Sequence, residues 1–401
     1  MVYLDNSATT YVDPEVKRAM EPYFSEYYGN PSSLHKMGLK SRNAIEHARE
    51  TVAKIINSRP NEIIFTGSGT ESINLAIKGV FRANRGRGKH IITTKIEHHA
   101  VLESCEYLEK NEGADVTYLD VDDHGLVDPK QVERAIRKDT ILITIIYANN
   151  EIGTIEPIAE IGRIAKRRGV YFHTDACQAG CYLPLDTKKL NADLMTLNGS
   201  KIYGPKGTGM LFVRSGVKLH PIIHGGGQEF GLRSGTENVP GIVGFAKALD
   251  ISQKKRIVES KRLTTLRDKL IKGILKNIPK TMLNGHATKR LPNNVNITFL
   301  DLEGESLLLY MNQKGIYAST GSACSSESLD PSHVIMALGL PHEAAHGSIR
   351  FSLGRQNTQK DVDYVLKQLP DMVKRLRSLS PVKFSDKPKR GIEDDESSVC
   401  A

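Results

Sequence analysis

The sequence predicts an α/β fold, with a mostly parallel sheet in a large domain and a smaller α+β domain after it. Short apolar runs alternate with helical patterns over the first half of the chain, a long charged helical pattern follows, and strands then mix with helices. Nearly continuous apolar strands separated by helices are typical of a parallel sheet that is buried on both faces. The 401 residues suffice for two domains of roughly 100–200 residues each.

The predicted strands of the large domain each precede a helical segment. In chain order they are EIIFTGSG before TESINLAIKGVF, HIITT before HAVLESCEYLEKN, VTYLDV before PKQVERAIRK, TILITIIYAN before IAEIGRIAKRRG, and VYFHTDA before the segment that leads to LMTL. This order indicates neighbouring parallel strands that are joined by helices.

The small domain follows a charged helix that we predict from about Ser252 to Lys272. It contains the strand NNVNITFL, the helix GESLLLYMNQKG, the loop STGSACSSESLDPS, and the pair GSIRFSLG and DVDYVLKQLPDMVKRL. We assign residues 13–260 to the large domain, and residues 1–12 and 261–381 to the small domain. Residues 382–401 are polar, charged and poor in aromatic residues, which predicts a disordered tail.

Composition and charge argue against several classes of protein. The net charge of +9 arises from Lys and Arg residues interleaved with acids, as in KKRIVESKRLTTLRDKL, which is typical of a solvated helix face rather than a nucleic-acid-binding surface. The start MVYLDNSATT lacks the basic and apolar regions of a signal peptide, and no run approaches the roughly 20 apolar residues that cross a bilayer. Five scattered cysteines favour free thiols over disulfides. We therefore expect a cytoplasmic protein that binds neither membranes nor nucleic acid directly.

The segment GSGTES, residues 67–72, lies between a predicted strand and a predicted helix. Glycines let a ligand approach the backbone, and the free N–H groups at a helix start can hold a phosphate. The segment is neither GxGxxG nor the lysine-bearing P-loop, so dinucleotide and triphosphate ligands are disfavoured. A plain turn between strand and helix is the alternative.

Two further segments offer groups that suit a pyridine-ring ligand. HTDACQ, residues 173–178, places Asp175 at the carboxyl end of a predicted strand, where ligands bind in open parallel sheets. An aspartate there can pair with a pyridinium nitrogen, or it can simply cap a helix. In NGSKIYGPKGTG, Lys201 lies among small residues, and a lysine in a desolvated pocket can form a Schiff base. Lys206 competes with it, and a surface position is the alternative for either lysine.

Cys324 lies in STGSACSSES, a Ser- and Gly-rich segment without apolar periodicity. A thiolate is a strong nucleophile, but it needs exposure and a neighbouring cation or base. An inert buried cysteine is the alternative. The polar, loop-like context favours a reactive thiol.

Taken together, these segments resemble the cysteine desulfurases of the NifS/IscS type, within the class V group of fold-type I pyridoxal-phosphate enzymes. The matching motifs, in order, are YLDNSATT, GNPSSLH, GTES, EHHAVL, NNEIGT, DACQ, SKIYGPKG, GGGQEFGLRSGTEN, GSAC and SIRFSLGR. They span nearly everything before the tail. The resemblance implies a seven-stranded, mostly parallel sheet between helices, pyridoxal 5′-phosphate as cofactor and L-cysteine as substrate.

The resemblance also implies how the cofactor is held. Lys201 is similar to the lysine that forms the Schiff base and moves protons, and His98 to the catalytic histidine that stacks on the ring and assists proton movement. Asp175 would pair with the ring nitrogen and Gln178 with the ring hydroxyl. Four positions of the same chain would bind the phosphate, and a fifth would reach the phosphate of a partner subunit in a homodimer. These are Gly69, Thr70, Asn198 and Ser200, and then Thr236.

For the substrate, the resemblance implies that Arg350 clamps the α-carboxylate in bidentate fashion, with Asn150 as its partner. The Cys324 thiolate would attack the substrate sulfur, so that alanine leaves and a persulfide remains. The residues after Cys324 resemble the subgroup with a longer loop, which is associated with iron–sulfur assembly. An iron–sulfur scaffold protein is therefore the expected sulfur acceptor, with transfer-RNA thiolation second. No intrinsic metal is expected, although Cys324 is a candidate for a transient iron–sulfur ligand.

The sequence departs from the family pattern at two positions. Ser200 stands where a histidine usually precedes the Schiff-base lysine, and Cys177 stands where threonine is common. Cys177 and Cys181 are spaced CxxxC, so we interpret them as small buried residues, and Cys105 as a core residue. Arg355 is interpreted as structural. Another class V activity, such as a transaminase or a selenocysteine lyase, and a non-catalytic scaffold subunit remain the competing hypotheses.

Overall fold

The computed structural model describes residues 1–321, 331–381 and 384. Its strands, numbered in chain order, are β1 Val2–Tyr3, β2 Ile63–Thr66, β3 His90–Thr94, β4 Asp115–Leu119, β5 Thr140–Thr144, β6 Tyr171–Asp175, β7 Leu194–Asn198, β8 Gly209–Val213, β9 Thr281–Leu283, β10 Asn294–Phe299, β11 Ile316–Tyr317, β12 Ser319–Thr320 and β13 Ser348–Ser352.

The helices are numbered in the same way. They are α1 Pro14–Met20, α2 Pro22–Ser25, α3 Lys36–Ile56, α4 Gly69–Asn84, α5 His99–Glu112, α6 Pro129–Ala135, α7 Ile158–Arg168, α8 Thr187–Leu190, α9 Val239–Asn277, α10 Gly304–Gln313, α11 His333–Ala337, α12 His342–Ala345 and α13 Gln359–Leu379. Short 3₁₀ turns occur at Pro60–Glu62, Gly199–Lys201 and Glu229–Gly231.

The main sheet has seven strands in the order β2-β8-β7-β6-β5-β3-β4. Strands β7, β6, β5, β3 and β4 are parallel neighbours, whereas β8 runs antiparallel to both β2 and β7. Successive strand residues enter opposite cores, since Ile91 and Leu142 pack in one apolar cluster while Ile92 and Ile143 pack in the other. The prediction of a mostly parallel sheet buried on both faces is confirmed.

A smaller antiparallel sheet has the order β12-β13-β10-β9. The N-terminus joins this part of the molecule, because β1 pairs in parallel with β11 and Asp5 forms a parallel bridge with Ser352 at the end of β13. Helices α10 and α13 pack against each other, and α10 also contacts β11, β12 and β13.

Helix α9 is longer than the charged pattern predicted. It spans 39 residues, about 58 Å at 1.5 Å per residue, and contacts α1 and α3 as well as α13, β9 and β10. The apolar stretch VPGIVGFAKALD forms its first turns, where Asn238 accepts a hydrogen bond from the Gly241 N–H. The predicted boundary at residue 260 falls inside this helix, so the division into domains remains a prediction.

The carboxyl ends of the parallel strands meet along one edge of the main sheet. Asp175 ends β6 and Asn198 ends β7, while the chain reaches His98 shortly after β3 and Asn150 shortly after β5. Ligands in open α/β sheets bind outside such edges. Within the residues that the structure describes, no helix is both long and apolar enough to span a bilayer.

Candidate active site

A cleft of about 240 Å³, partly open to solvent, lies at this edge of the sheet. Nine of the residues singled out from the sequence line it: Gly69, Thr70, His98, Asn150, Asp175, Gln178, Asn198, Lys201 and Arg350. They come from positions as distant in sequence as 69 and 350, and folding brings them to a single cavity.

Lys201 ends the short 3₁₀ turn after β7 and is half-buried. Its Nζ donates a hydrogen bond to the carbonyl oxygen of Ala8, from the N-terminal segment. Lys206 is exposed, and it is not among the described residues that line the cleft. The structure therefore favours Lys201 over Lys206 as the lysine of this site.

Asp175 and Gln178 lie at the end of β6, and both are buried. One Asp175 carboxylate oxygen accepts a hydrogen bond of 2.9 Å from the Cys177 N–H, and Gln178 Nε2 donates to the Ser7 carbonyl oxygen at 3.0 Å. Behind Asp175 on the same strand, buried His173 has its ring nitrogens 2.8 and 3.0 Å from hydroxyls on β5 and β7. Burial lowers the pKa of His173 to about 4, so its ring stays neutral.

Gly69 and Thr70 form the first turn of α4. Ser68 caps this helix by accepting a hydrogen bond of 3.0 Å from the Glu71 N–H, whereas the first N–H groups of a helix have no partner within the helix itself. A Cβ atom on Gly69 would lie 2.9 Å from Cys177 Sγ and 3.3 Å from Asn198 Cβ. The helix start is therefore closely surrounded by other residues, and the backbone N–H groups at such a start suit a phosphate.

Asn198 and Ser200 are joined by hydrogen bonds. The Asn198 side-chain oxygen accepts hydrogen bonds from the Ser200 N–H at 3.1 Å and from the Ser200 hydroxyl at 3.2 Å. Ser200 is not among the described residues that line the cleft. Asn198 thus faces the cavity, with Ser200 holding its side chain from behind.

His98 is the N-cap of α5, and its Nδ1 accepts a hydrogen bond of 3.0 Å from the Ala100 N–H. Because Nδ1 is the acceptor, the neutral ring carries its proton on Nε2. Burial lowers the pKa of His98; Asp175 acts in the opposite direction and Lys201 lowers the pKa further. His98 therefore presents a neutral imidazole to the cleft. The adjacent His99 instead packs against the ring of His333, with ring centroids 4.7 Å apart.

Arg350 reaches the cleft from β13 and is only 2% exposed. Its Nη1 donates to the backbone oxygen of Asn150 at 3.2 Å, and its Nη2 forms an ion pair of 3.0 Å with Asp5. Arg350 Nε is buried without a hydrogen-bond acceptor in the described part of the chain. Asn150 thus contacts Arg350 through its carbonyl group, and the predicted role of the two residues in binding a substrate carboxylate remains a prediction.

Among the residues that the structure describes, two predicted site residues, Ser200 and Thr236, do not line this cleft. Thr236 is exposed and lines a different cavity, next to Gly67 and Arg233. Cys324 lies outside the described residues, as do Cys400 and all of the predicted tail except residue 384.

The sequence predicted that Cys105, Cys177 and Cys181 are buried and that Arg355 is structural. Cys105 and Cys181 are buried, and burial raises the pKa of both thiols. Cys177 was predicted to be a small buried residue, but it is only partly buried and lines the cleft. Arg355 pairs with Asp13 at 3.0 Å, outside the cleft, in keeping with a structural role.

Some residues that line or support the cleft were not singled out from the sequence. Ser7, Ala8 and Ile146 line it, and Asp5 contacts Arg350. Ser7 and Ala8 offer backbone carbonyl oxygens to side chains of the site. The motif YLDNSATT was visible, but a backbone carbonyl has no signature in a sequence.

Comparison with known proteins gives a consistent result. Residues 2–365 match the family model for aminotransferase class V. The chain is 58% identical over 381 residues to cysteine desulfurase IscS of Methanosarcina thermophila, covering 95% of this chain and 94% of that protein. A solved NifS-like protein superposes with a TM-score of 0.88 at 40% identity, covering 94% of this chain and 100% of that chain. The structure of SspA in complex with cysteine gives a TM-score of 0.78 at 39% identity, over 88% of this chain and 99% of that chain.

Proposed function

Because the chain belongs to the class V aminotransferase family and is a cysteine desulfurase, we propose that Lys201 and Cys324 carry its reaction with pyridoxal 5′-phosphate as cofactor. L-cysteine and the Cys324 thiol would give L-alanine and a persulfide on Cys324. The observation that carries this proposal is the convergence of Lys201, Asp175, Gln178, His98 and Gly69 on one cleft.

The residues of the cleft fit the cofactor from end to end. The start of α4 offers N–H donors for a phosphate, in a cradle that a single methyl group on Gly69 would fill. Asp175, a buried carboxylate, suits a protonated ring nitrogen, and Gln178 lies beside it. When bound, pyridoxal 5′-phosphate supplies a ring that accepts electrons from the substrate α-carbon.

Lys201 holds the cofactor and moves protons at its Nζ. The Ala8 carbonyl oxygen accepts a hydrogen bond from this amine. The contact would hold the amine in place while it is not bonded to the cofactor. His98 forms one wall of the cleft as a neutral ring whose proton is on Nε2, so it can donate there. The carboxylate of Asp175 pairs with the protonated ring nitrogen of the cofactor.

Arg350 binds and orients the substrate α-carboxylate. Its guanidinium is held from two sides, by the Asn150 carbonyl oxygen and by Asp5, and it lines the cleft in which Lys201 lies. A planar guanidinium suits a carboxylate because two parallel N–H groups can donate to its two oxygens. This arrangement supports an amino acid as the substrate class.

Cys324 receives the sulfur in this proposal. Its thiolate attacks the substrate sulfur, a bond between the two sulfur atoms forms, the carbon–sulfur bond breaks, and a proton returns to the carbon to give alanine. The persulfide then passes to an acceptor, which we propose to be an iron–sulfur scaffold protein. We further propose a cytoplasmic homodimer in which Thr236 completes the phosphate site of the partner subunit. The exposure of Thr236, away from the cleft of its own chain, supports this.

The decisive experiment incubates the purified, cofactor-loaded protein with L-cysteine and measures alanine, sulfide and protein-bound persulfide. Cys324→Ala is expected to abolish persulfide and sulfide while keeping the visible absorbance of the bound cofactor. Lys201→Ala is expected to change that absorbance. Lys206→Ala and Cys400→Ala serve as matched controls and are expected to behave as the unmodified protein.

The competing hypotheses predict other results. A class V transaminase would turn over substrate without Cys324, so intact cysteine turnover in Cys324→Ala would refute the desulfurase mechanism. A non-catalytic scaffold would bind the cofactor but release no alanine. A selenocysteine lyase would release alanine from selenocysteine but not from cysteine.

A further inference from the structure

The N-terminal segment Asp5–Ala8 touches three residues of the proposed site. Asp5 forms an ion pair with Arg350, the Ser7 carbonyl oxygen accepts a hydrogen bond from Gln178, and the Ala8 carbonyl oxygen accepts one from Lys201. Two of these contacts are made by backbone groups and one by a charged side chain. Asp5 is therefore the member of the segment whose side chain acts on the site.

The position of Asp5 is fixed by the chain on either side of it. The Ser352 N–H donates to the Leu4 carbonyl oxygen at 2.6 Å, and the Asn6 side-chain amide donates to the Ser352 carbonyl oxygen at 2.8 Å. The hydroxyl of Tyr3 lies 3.1 Å from the Asp5 carbonyl oxygen. The backbone of Asp5 is thereby held beside β13, the strand that carries Arg350.

Arg350 needs such a partner because its side chain is 2% exposed. A buried guanidinium without a counter-charge is strongly unfavourable, and removal of one partner from a buried pair leaves the other charge uncompensated. Asp5, whose side chain is 20% exposed, supplies the negative charge at 3.0 Å from Nη2. The pair stays neutral when no substrate carboxylate is bound.

The two contacts on Arg350 also fix the orientation of its guanidinium. Asp5 accepts from Nη2 and the Asn150 carbonyl oxygen accepts from Nη1, so both ends of the planar group are held by different parts of the chain. Rotation of the group would break at least one of these bonds. A bidentate clamp depends on such an orientation, because two parallel N–H groups must point at one carboxylate.

We propose that Asp5 is a positioning residue that fixes the orientation of the Arg350 guanidinium for the α-carboxylate of the amino-acid substrate. The inference rests on the proposed function, in which Arg350 binds that carboxylate. Asp5 acts through Arg350 and does not touch the reacting atoms. Its loss should therefore weaken substrate binding far more than it slows the chemical steps.

The test compares Asp5→Ala with Asp5→Asn in the cofactor-loaded enzyme. Asp5→Ala removes the acceptor of the Nη2 hydrogen bond, and KM for L-cysteine is expected to rise about tenfold or more, with kcat within about threefold of the unmodified value. Asp5→Asn keeps an oxygen acceptor, and KM is expected to return to within about threefold. The dissociation constant of the product L-alanine, measured by calorimetry, should follow the same order.

The Asp13–Arg355 pair provides a matched control. It is also an aspartate–arginine pair at 3.0 Å, with low side-chain exposure, but it lies outside the cleft. Asp13→Ala is expected to lower thermal stability without raising KM or the L-alanine dissociation constant. An equal rise in KM for Asp5→Ala and Asp13→Ala would overturn the inference, because the effect would then be a general structural one.

Two other results would also overturn it: an unchanged KM in Asp5→Ala, or no recovery in a folded Asp5→Asn variant. If Asp5→Ala does not fold, Asp5→Glu replaces it, since one added methylene displaces the carboxylate, and KM is again expected to rise. Arg350→Gln separates this inference from the proposed function. If Arg350→Gln changes neither KM for L-cysteine nor the dissociation constant of L-alanine, the proposal that Arg350 binds the α-carboxylate is wrong. If it raises them while Asp5→Ala does not, only the role of Asp5 is wrong.

Discussion

Glu97, which directly precedes His98, is a carboxyl group buried beside the cleft at 1% exposure. Its Oε1 accepts hydrogen bonds from the Thr94 hydroxyl at 2.7 Å and from the Ile146 N–H at 3.0 Å. Its Oε2 is buried without a partner among residues 1–321, 331–381 and 384. Burial, reinforced by the charge of Asp175, raises the pKa of Glu97 from 4.5 to about 8. Glu97 is therefore mostly protonated in the folded protein at neutral pH.

This pKa makes stability depend on pH in a defined direction. The folded protein binds the Glu97 proton more tightly than the unfolded chain, so the stabilisation is complete below pH 4.5 and is lost as the pH rises through about 8. Each tenfold difference in proton affinity corresponds to about 1.4 kcal/mol. Between pH 5 and pH 9 the free energy of unfolding should therefore fall by about 4 kcal/mol through this one group.

The substitution Glu97→Gln keeps the shape of the side chain and the Oε1 acceptor but cannot ionise. We expect the stability of the variant, relative to the unmodified protein, to increase by about 4 kcal/mol between pH 5 and pH 9. Urea denaturation at pH 5, 7 and 9, followed by circular dichroism, measures the difference. Glu160→Gln, on the exposed side of α7, serves as the control and should show no such trend. A difference between Glu97→Gln and the unmodified protein that stays constant over this range would refute the reasoning.

Two further predictions concern the walls of the cleft. Gly69→Ala should weaken binding of pyridoxal 5′-phosphate about tenfold or more, because the added methyl group would lie 2.9 Å from Cys177 Sγ. Absorbance titration of the cofactor-free protein measures this affinity, and an unchanged value would contradict a phosphate site at Gly69. The titration midpoint of the His98 ring should lie below the ordinary value of 6.5, since burial lowers its pKa; a midpoint above 6.5 in histidine NMR spectra would contradict that.

Much of the main sheet could be predicted because its strands are apolar on both faces. Runs such as HIITT and VYFHTDA stand out against the helices around them. Strand β8, Gly209–Val213, was not identified, because GMLFV directly follows a Gly- and Pro-rich turn and no helix separates it from β7. The start of α9 was missed for a related reason, since its first turns are apolar and the charged pattern begins only later.

The candidate site could be predicted where a side chain carries the chemistry. Lys201, Asp175 and His98 stand in short motifs, and a resemblance transfers such motifs position by position. The support of Arg350 was not predictable in the same way, because Asp5 is 345 positions away in sequence. The Asn150 contact uses a carbonyl oxygen, which every residue possesses. Only the folded arrangement selects these two groups.

The pairing of the N-terminal segment with β13 has a consequence for biosynthesis. Ribosomes synthesise the chain from its N-terminus onwards. Residues 5–8 therefore leave the ribosome long before Ser348–Ser352, the strand beside which they lie in the folded protein. Until then Arg350 does not exist, Asp5 has no partner and the cleft lacks one wall. A nascent chain therefore completes this cleft only after Ser348–Ser352 have been synthesised.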